Sequence, residues 1–130
     1  MSRRTTLLTA WTLVLLLAAG LRLADLETRV LSHDEAIHAS LTHNLVERLH
    51  YEQDPTYHGP LLYHLTGLSF FLLGDTDTTA RLPVAIVSIV AVLLFGLFRR
   101  TLGEGGALGA ALLYSVSPIL LFYSRYLRND

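Results

Sequence analysis

The sequence predicts an all-α membrane protein, with three transmembrane helices and two juxtamembrane or interfacial helices in the first external loop. Hydrophobic residues make up 52% of the 130 positions and charged residues only 16%, with a mean hydropathy of +0.43. Soluble domains carry about 25% charged residues. Of the 21 charged residues (10 basic and 11 acidic), ten lie between positions 22 and 54. This separation of apolar stretches from one polar loop is typical of a chain that crosses a bilayer.

The composition also excludes several classes of protein. The sequence has no cysteine, which excludes a disulfide framework and thiolate chemistry. A net charge of −1 provides no electrostatic footprint for nucleic acid, so we expect no nucleic-acid partner. The high apolar content excludes a disordered chain. Because the last apolar stretch is followed by so few residues, we expect this chain to be the N-terminal part of a larger membrane domain.

The first transmembrane helix is predicted over about residues 7–24. It follows Arg3 and Arg4, and the positive-inside rule therefore places the N-terminus in the cytoplasm. A cleaved signal peptide is the alternative interpretation. Arg22-Leu23-Ala24 argues against cleavage, because a signal peptidase site requires a small residue where Arg22 stands.

Two further transmembrane helices are predicted over about residues 82–100 and 105–123. The later one contains Gly105 and Gly109, and this small-residue spacing lets helices approach closely. It also contains Pro118, which cannot donate a backbone hydrogen bond and is expected to kink the helix. A side chain from a neighbouring helix must then satisfy the carbonyl that the kink leaves without a donor.

The apolar segment 60–74 allows two interpretations. At 15 residues it is short for a span, and segments of about 10–14 apolar residues are more often interfacial or re-entrant. If it spans, Asp34 and Asp130 lie on opposite sides of the membrane. If it lies at the interface, both acids face the exterior. Its length favours the second interpretation, which makes residues 25–81 a single external loop.

The chemistry-bearing part of that loop begins with a helix. Ser32 suits the N-cap position, and Glu35 three residues later completes a capping box. Apolar residues then recur every four positions and predict one apolar stripe, at Ile37, Leu41, Leu45 and Leu49. We expect this helix to lie on the membrane surface or against the helical bundle.

Asp34 and Glu35 also allow two interpretations. Acidic residues in the first turn of a helix are favoured by the macrodipole and by capping. A carboxylate there is alternatively a general base or a metal ligand. Asp34 and His38 are four residues apart and share a helix face, so they are candidate ligands of a divalent metal cation. Two ligands do not complete a metal site.

Two other segments carry candidate binding residues. His58-Gly59-Pro60 is either a simple turn before a helix or a place where backbone and His58 approach a polar ligand. Arg125 and Arg128 are either interfacial anchors or a binding site for an anionic lipid headgroup.

Three blocks occur in order along the sequence: His33-Asp34-Glu35-Ala36, His58-Gly59-Pro60-Leu61-Leu62-Tyr63, and Ser117-Pro118 followed by Ser124-Arg125-Tyr126-Leu127-Arg128-Asn129-Asp130. Together they resemble the N-terminal part of the GT-C membrane glycosyltransferases, the superfamily of the protein mannosyltransferases and the lipid A aminoarabinose transferase. Within it, the sequence is most similar to a branch associated with the flipping of lipid-linked glycans.

The resemblance implies a polyprenyl-phosphate-linked sugar as donor and a catalytic acidic motif in the first external loop. Asp34 and Glu35 match that motif, with Asp34 as the catalytic base or a metal-associated acid. Asp130 matches a second acidic position on the same external face, which agrees with an interfacial segment 60–74. His58 stands where the family carries lysine, and it would contact the donor phosphate or a metal in its place.

These observations predict an inverting glycosyltransferase in the cell membrane, with several passes and a site facing the exterior. The acceptor is a lipid, a glycan or a protein, and Arg125 and Arg128 would meet the phosphate of the donor. We expect the 130 residues alone to be inactive, because the remaining helices of the full-length protein build the rest of the groove. The alternatives are a non-catalytic accessory that binds lipid-linked glycan and assists its flipping, and a structural or transporter segment.

Overall fold

The computed structural model describes residues 2–48 and 60–127, and helices are its regular elements. They are α1 (Arg3–Leu23), α2 (His33–Arg48), α3 (Pro60–Leu73), α4 (Asp77–Leu94), α5 (Arg99–Val116) and α6 (Pro118–Tyr123), with a 3₁₀ turn at Phe95–Phe98. No strand occurs among the described residues, which confirms the all-α class. The chain forms two compact units: the described residues of 1–24 with 86–124, and those of 25–85 with 125–130.

Two helical stretches are long and apolar enough to cross a membrane. They are Arg3–Leu23 and Asp77–Val116, the second being 40 residues long. Their large side chains are mostly exposed: Leu13 is 61% exposed and Leu113 is 70% exposed. A core helix of a soluble protein buries such side chains, whereas a helix in lipid does not need to. The division of these stretches into three spans stays a prediction.

The longer stretch is interrupted at Gly103. This residue has φ 72° and ψ 168°, so the regular helix breaks there although α5 formally begins at Arg99. Only glycine adopts this backbone conformation without strain. The break falls between the predicted spans 82–100 and 105–123.

Within the first unit, α1 and α5 run parallel. Ala18 and Ala111 share one hydrophobic core, and one turn further along both helices Arg22 donates to the carbonyl of Ser115. The core is completed by Val14 and Val92, with partly buried neighbours around them.

The part of α4 in this unit runs antiparallel to both of those helices. Val92 packs in the core with Ala18, whereas Ser88, earlier in α4, bonds to Arg22, later in α1. The Ser88 hydroxyl also lies 3.0 Å from that of Tyr114 on α5. The first unit is therefore a three-helix bundle with up, down and up directions.

Arg22 supplies hydrogen-bond donors to the backbone carbonyls at the C-terminal end of α5. Pro118 has no N–H, and Ser117 before it is extended, so α5 ends at Val116. The Arg22 guanidinium donates to the carbonyls of Tyr114 (3.2 Å) and Ser115 (3.1 Å), and its Nε donates to Ser88 Oγ (2.8 Å). A cation at a helix C-terminus is also favoured by the macrodipole. The expectation of a break at Pro118, with a neighbouring side chain on the carbonyls it exposes, is confirmed.

Within the second unit, α2 packs on α3. Gly67 of α3 lies at the crossing, where an added Cβ would sit 3.6 Å from side-chain atoms of both Leu45 and Val46. The buried face of α2 consists of polar residues, Glu35, His38 and Thr42, rather than of the predicted apolar stripe, whose described members are only partly buried.

The exposed face of α3 is mostly apolar, unlike that of a helix on the surface of a soluble protein, and its buried face holds both apolar and polar residues. Leu61, Leu68 and Phe71 are 67%, 55% and 76% exposed, whereas Thr66 and Ser69 are buried. Its 14 residues extend about 21 Å, less than the ~30 Å of a hydrocarbon core. An interfacial position for α3 stays a prediction.

Candidate functional site

The first turn of α2 forms the capping box that the sequence predicts. The Ser32 hydroxyl accepts from the Glu35 N–H at 3.4 Å, and a Glu35 carboxylate oxygen accepts from the Ser32 N–H at 3.0 Å. The Ala36 N–H bonds to the Ser32 carbonyl at 2.9 Å, which closes the first helical turn. Asp34 lies within this turn and is partly exposed.

The Glu35 carboxylate is fully buried at the centre of a hydrogen-bond network. Arg81 of α4 donates through Nε to Oε1 (2.9 Å) and through Nη2 to Oε2 (3.1 Å), a bidentate pair. Arg29 adds a third charged donor at 3.0 Å, and the backbone N–H of Leu127 donates at 3.1 Å.

This environment keeps Glu35 ionised. Burial alone would raise the pKa of its carboxyl group, because desolvation penalises the charged form. The hydrogen bond from Arg81, those from the Ser32 and Leu127 backbone and the charge of Arg81 outweigh burial and lower the pKa to about 2. Glu35 therefore behaves as a permanent anion at physiological pH. Its catalytic role stays a prediction.

The segment after α6 lies against the first turn of α2. The Tyr126 hydroxyl lies 2.8 Å from Ser32 Oγ, and the Arg29 guanidinium stacks over the Tyr126 ring at 5.0 Å. The Leu127 side chain is fully buried with Leu62, Phe70 and Ala80. Arg125 is partly exposed and donates to the carbonyl of Asp25 at 2.8 Å. The structure thus brings together Asp34, Glu35 and the start of the predicted arginine segment.

His38, the predicted partner of Asp34 in a metal site, is buried between α2 and α3. Its Nδ1 lies 2.9 Å from the Tyr63 hydroxyl, and the two rings are 5.4 Å apart. Within residues 2–48 and 60–127, no group of three or more histidine and acidic side chains could hold a metal ion. The described residues therefore do not make a complete cation site, and metal binding by Asp34 and His38 stays a prediction.

Three predicted site residues lie outside the described parts of the chain. They are His58, Arg128 and Asp130. Their predicted contacts with donor phosphate, and the proximity of Asp130 to Asp34, stay predictions.

Sequence reasoning missed the central place of Arg81 and Arg29. In the sequence, Arg81 is only the charged residue directly before the predicted span 82–100, whereas in the structure its side chain is 1% exposed. The one available signal is that an arginine beside a long apolar run must find an anion or reach water. That signal does not name Glu35, which is 46 residues away.

A comparison with known families identifies the chain. The model of the dolichyl-phosphate-mannose-protein mannosyltransferase family matches residues 57–130, which include α3 to α6. Asp34 and Glu35 precede the matched segment. No curated protein and no solved structure matches the chain significantly. Together with the two apolar helical stretches, the match indicates a membrane protein. Since the match covers more than half of the sequence, the chain belongs to the dolichyl-phosphate-mannose-protein mannosyltransferase family, of the GT-C type.

Proposed function

We propose that this chain supplies part of the active site of a membrane glycosyltransferase that moves a sugar from a polyprenyl-phosphate donor to a hydroxyl acceptor. Family membership supports glycosyl transfer of the GT-C type in general. The family name specifies dolichyl phosphate mannose as donor and protein as acceptor; for this chain we propose the wider classes, a polyprenyl-phosphate sugar and a lipid, glycan or protein.

The observation that carries the proposal is a difference in exposure between two adjacent carboxylates. Glu35 is fully buried and saturated with donors, whereas Asp34, one residue earlier in the same turn, is partly exposed. A general base must reach the proton that it removes, so exposure favours Asp34 for this role. The rigid cap beside it holds its backbone in place.

In the proposed reaction, Asp34 accepts the proton of the acceptor hydroxyl. The acceptor oxygen forms a bond to the anomeric carbon as the bond from that carbon to the phosphate oxygen breaks, with inversion. The lipid phosphate leaves with the bonding electrons, and its negative charge requires a nearby cation. Arg125 is partly exposed in the segment after α6, and guanidinium suits phosphate because it donates in a planar fork. A divalent metal cation bound by Asp34 and His38 stays a prediction, and no step of this scheme is assigned to it.

The topology we propose has three membrane crossings and a cytoplasmic N-terminus. Because α1 and α4 are antiparallel, the chain between them leaves and returns at the same end of the three-helix bundle. This arrangement argues against a single crossing by α3, and so does its length of about 21 Å. Arg3 and Arg4 at the start of α1 favour the cytoplasmic side, so Asp34 faces the exterior.

The test is sugar transfer by the full-length gene product in proteoliposomes that contain a polyprenyl-phosphate sugar. Asp34→Asn removes the base without changing side-chain size, and we expect turnover to fall about 10²- to 10⁴-fold. Glu47→Gln is the matched control, because Glu47 is an exposed acid on the same helix. Full turnover in Asp34→Asn would refute the assigned base and favour the non-catalytic accessory that binds lipid-linked glycan.

A further inference from the structure

We infer that Glu35 is a positioning residue, whose carboxylate holds the turn that carries Asp34 and the segment 124–127 after α6 in one fixed arrangement. The inference rests on the proposed function, because it takes Asp34 to be the catalytic base that is positioned. The contacts that carry it all lie within the second unit, and they involve three stretches of chain that are far apart in sequence.

The carboxylate receives five hydrogen bonds from four residues. Oε1 accepts from Arg81 Nε and the Leu127 N–H, and Oε2 accepts from Arg81 Nη2, Arg29 Nη2 and the Ser32 N–H. A carboxylate offers about four lone-pair sites. Its acceptor capacity is therefore used by the protein itself, which is the state of a group that holds structure rather than one that takes a proton from substrate.

Two of the five donors are backbone N–H groups, and they determine what is held. The Ser32 N–H belongs to the cap of α2, immediately before Asp34, and the Leu127 N–H belongs to the segment after α6. A second link joins the same two places, because the Tyr126 hydroxyl lies 2.8 Å from Ser32 Oγ. Movement of either segment relative to the other must break bonds at Glu35.

Only a carboxylate can accept this set of bonds. Glutamine has only one acceptor oxygen. Its amide NH₂ group would replace the other oxygen, and its hydrogens would point at the N–H groups that donate there. Glu35→Gln therefore keeps the shape and breaks the contacts at one of the two oxygens. It also leaves Arg81, which is 1% exposed, without its counter-charge. The double variant Glu35→Gln/Arg81→Met removes this buried cation too, and it also takes away the donor of the Leu26 and Arg29 carbonyls.

The structural arm of the test is amide hydrogen exchange, resolved by residue, on the chain in nanodiscs. In Glu35→Gln we expect the Leu127 and Ser32 amides to exchange about ten- to a hundredfold faster, because each loses or weakens a bond to a charged acceptor. The amide of Val14 in the first unit reports global opening and should not change. If exchange becomes faster at every amide, Glu35→Gln has destabilised the whole fold, and the measurement is then made on the double variant instead. Unchanged exchange at Leu127 in whichever variant stays folded would overturn the inference, and Glu47→Gln should leave all three amides unchanged.

The functional arm uses the transfer assay of the full-length protein. We expect Glu35→Gln and the double variant to lower kcat about a hundredfold, since displacement of about 1 Å at a reacting group costs this much. The KM for donor and the pH profile should change little, and Glu35→Asp should recover part of the turnover. Wild-type turnover in the double variant would overturn the inference. Full activity of Asp34→Asn would instead refute the proposed base, while the exchange result would still decide whether Glu35 holds the two segments.

Discussion

Arg22 allows a quantitative test of how the first unit is held together. It lies near the end of α1, fully buried, and its guanidinium donates to the carbonyls of Tyr114 and Ser115 at the broken end of α5. Arg22→Met fills similar space but leaves these two carbonyls without that donor. A buried acceptor deprived of its partner costs about 1–3 kcal/mol, so two cost roughly 2–6 kcal/mol. The methionine also avoids the burial of a charge, and we therefore expect a net loss of about 2–4 kcal/mol.

The assay is reversible unfolding in detergent micelles, monitored by helix content. Arg4→Met is the control, because Arg4 is exposed at the other end of α1, and it should change the free energy of unfolding by less than about 0.5 kcal/mol. Arg22→Lys should retain part of the stability, since an ammonium group lacks the planar fork that meets two carbonyls.

A double-mutant cycle identifies the mechanism. Pro118→Ala restores an N–H that can bond to the Tyr114 carbonyl, which lessens the dependence of α5 on Arg22. The cost of Arg22→Met should then fall by about 1 kcal/mol or more in the Pro118→Ala background. An equal cost in both backgrounds, or no cost in either, would refute the view that Arg22 serves as the cap of α5.

Three further predictions concern other parts of the chain. Gly103→Ala should destabilise the protein by about 1–3 kcal/mol in thermal unfolding, because φ 72° with ψ 168° strains any residue with a Cβ, whereas Gly105→Ala should be neutral. Tyr63→Phe removes the hydroxyl that meets His38 Nδ1 and should cost about 1–3 kcal/mol; an unchanged melting temperature would contradict this. The folded-state pKa of Glu35 lies below its usual 4.5, at about 2, so its contribution is present above pH 4.5 and is lost as the pH falls toward 2. This contribution is roughly 3 kcal/mol, and acid titration of stability should be flatter over that range in Glu35→Gln than in the wild type.

The buried face of α2 shows what periodicity could not predict. Spacing of four predicts an apolar stripe that lies on the membrane surface or against the helical bundle, whereas the fully buried residues are Glu35, His38 and Thr42. Each of these polar side chains finds a hydrogen-bond partner: Arg81 for Glu35, Tyr63 for His38, and the His38 carbonyl for Thr42. A polar face can be buried when its partners are supplied by the fold, and two of these partners lie in other helices. Local periodicity contains no information about them.

The candidate site could be predicted only in part, again because the local sequence contains no information about partners that are distant in the chain. The capping box needs only residues three apart, and the sequence therefore predicts the environment of Asp34 directly. The sequence also places Asp34 and Glu35 together, with Glu35 in the capping box and Asp34 as the candidate base, but it does not predict how different their exposure is. Their difference in exposure arises from Arg81 and Leu127, which are 46 and 92 residues away from Glu35.

The sequence by itself determined the local and compositional features of this protein. Apolar runs predict helices suited to a bilayer, a serine and a glutamate predict the start of α2, and Pro118 predicts the end of α5, because each effect acts through neighbours within a helical turn or two. The tertiary structure alone determines that Arg22 caps that end and that Glu35 meets Arg81 and Leu127. A buried charge is stable only with partners at hydrogen-bond distance, and the packing of distant segments decides which partners arrive there.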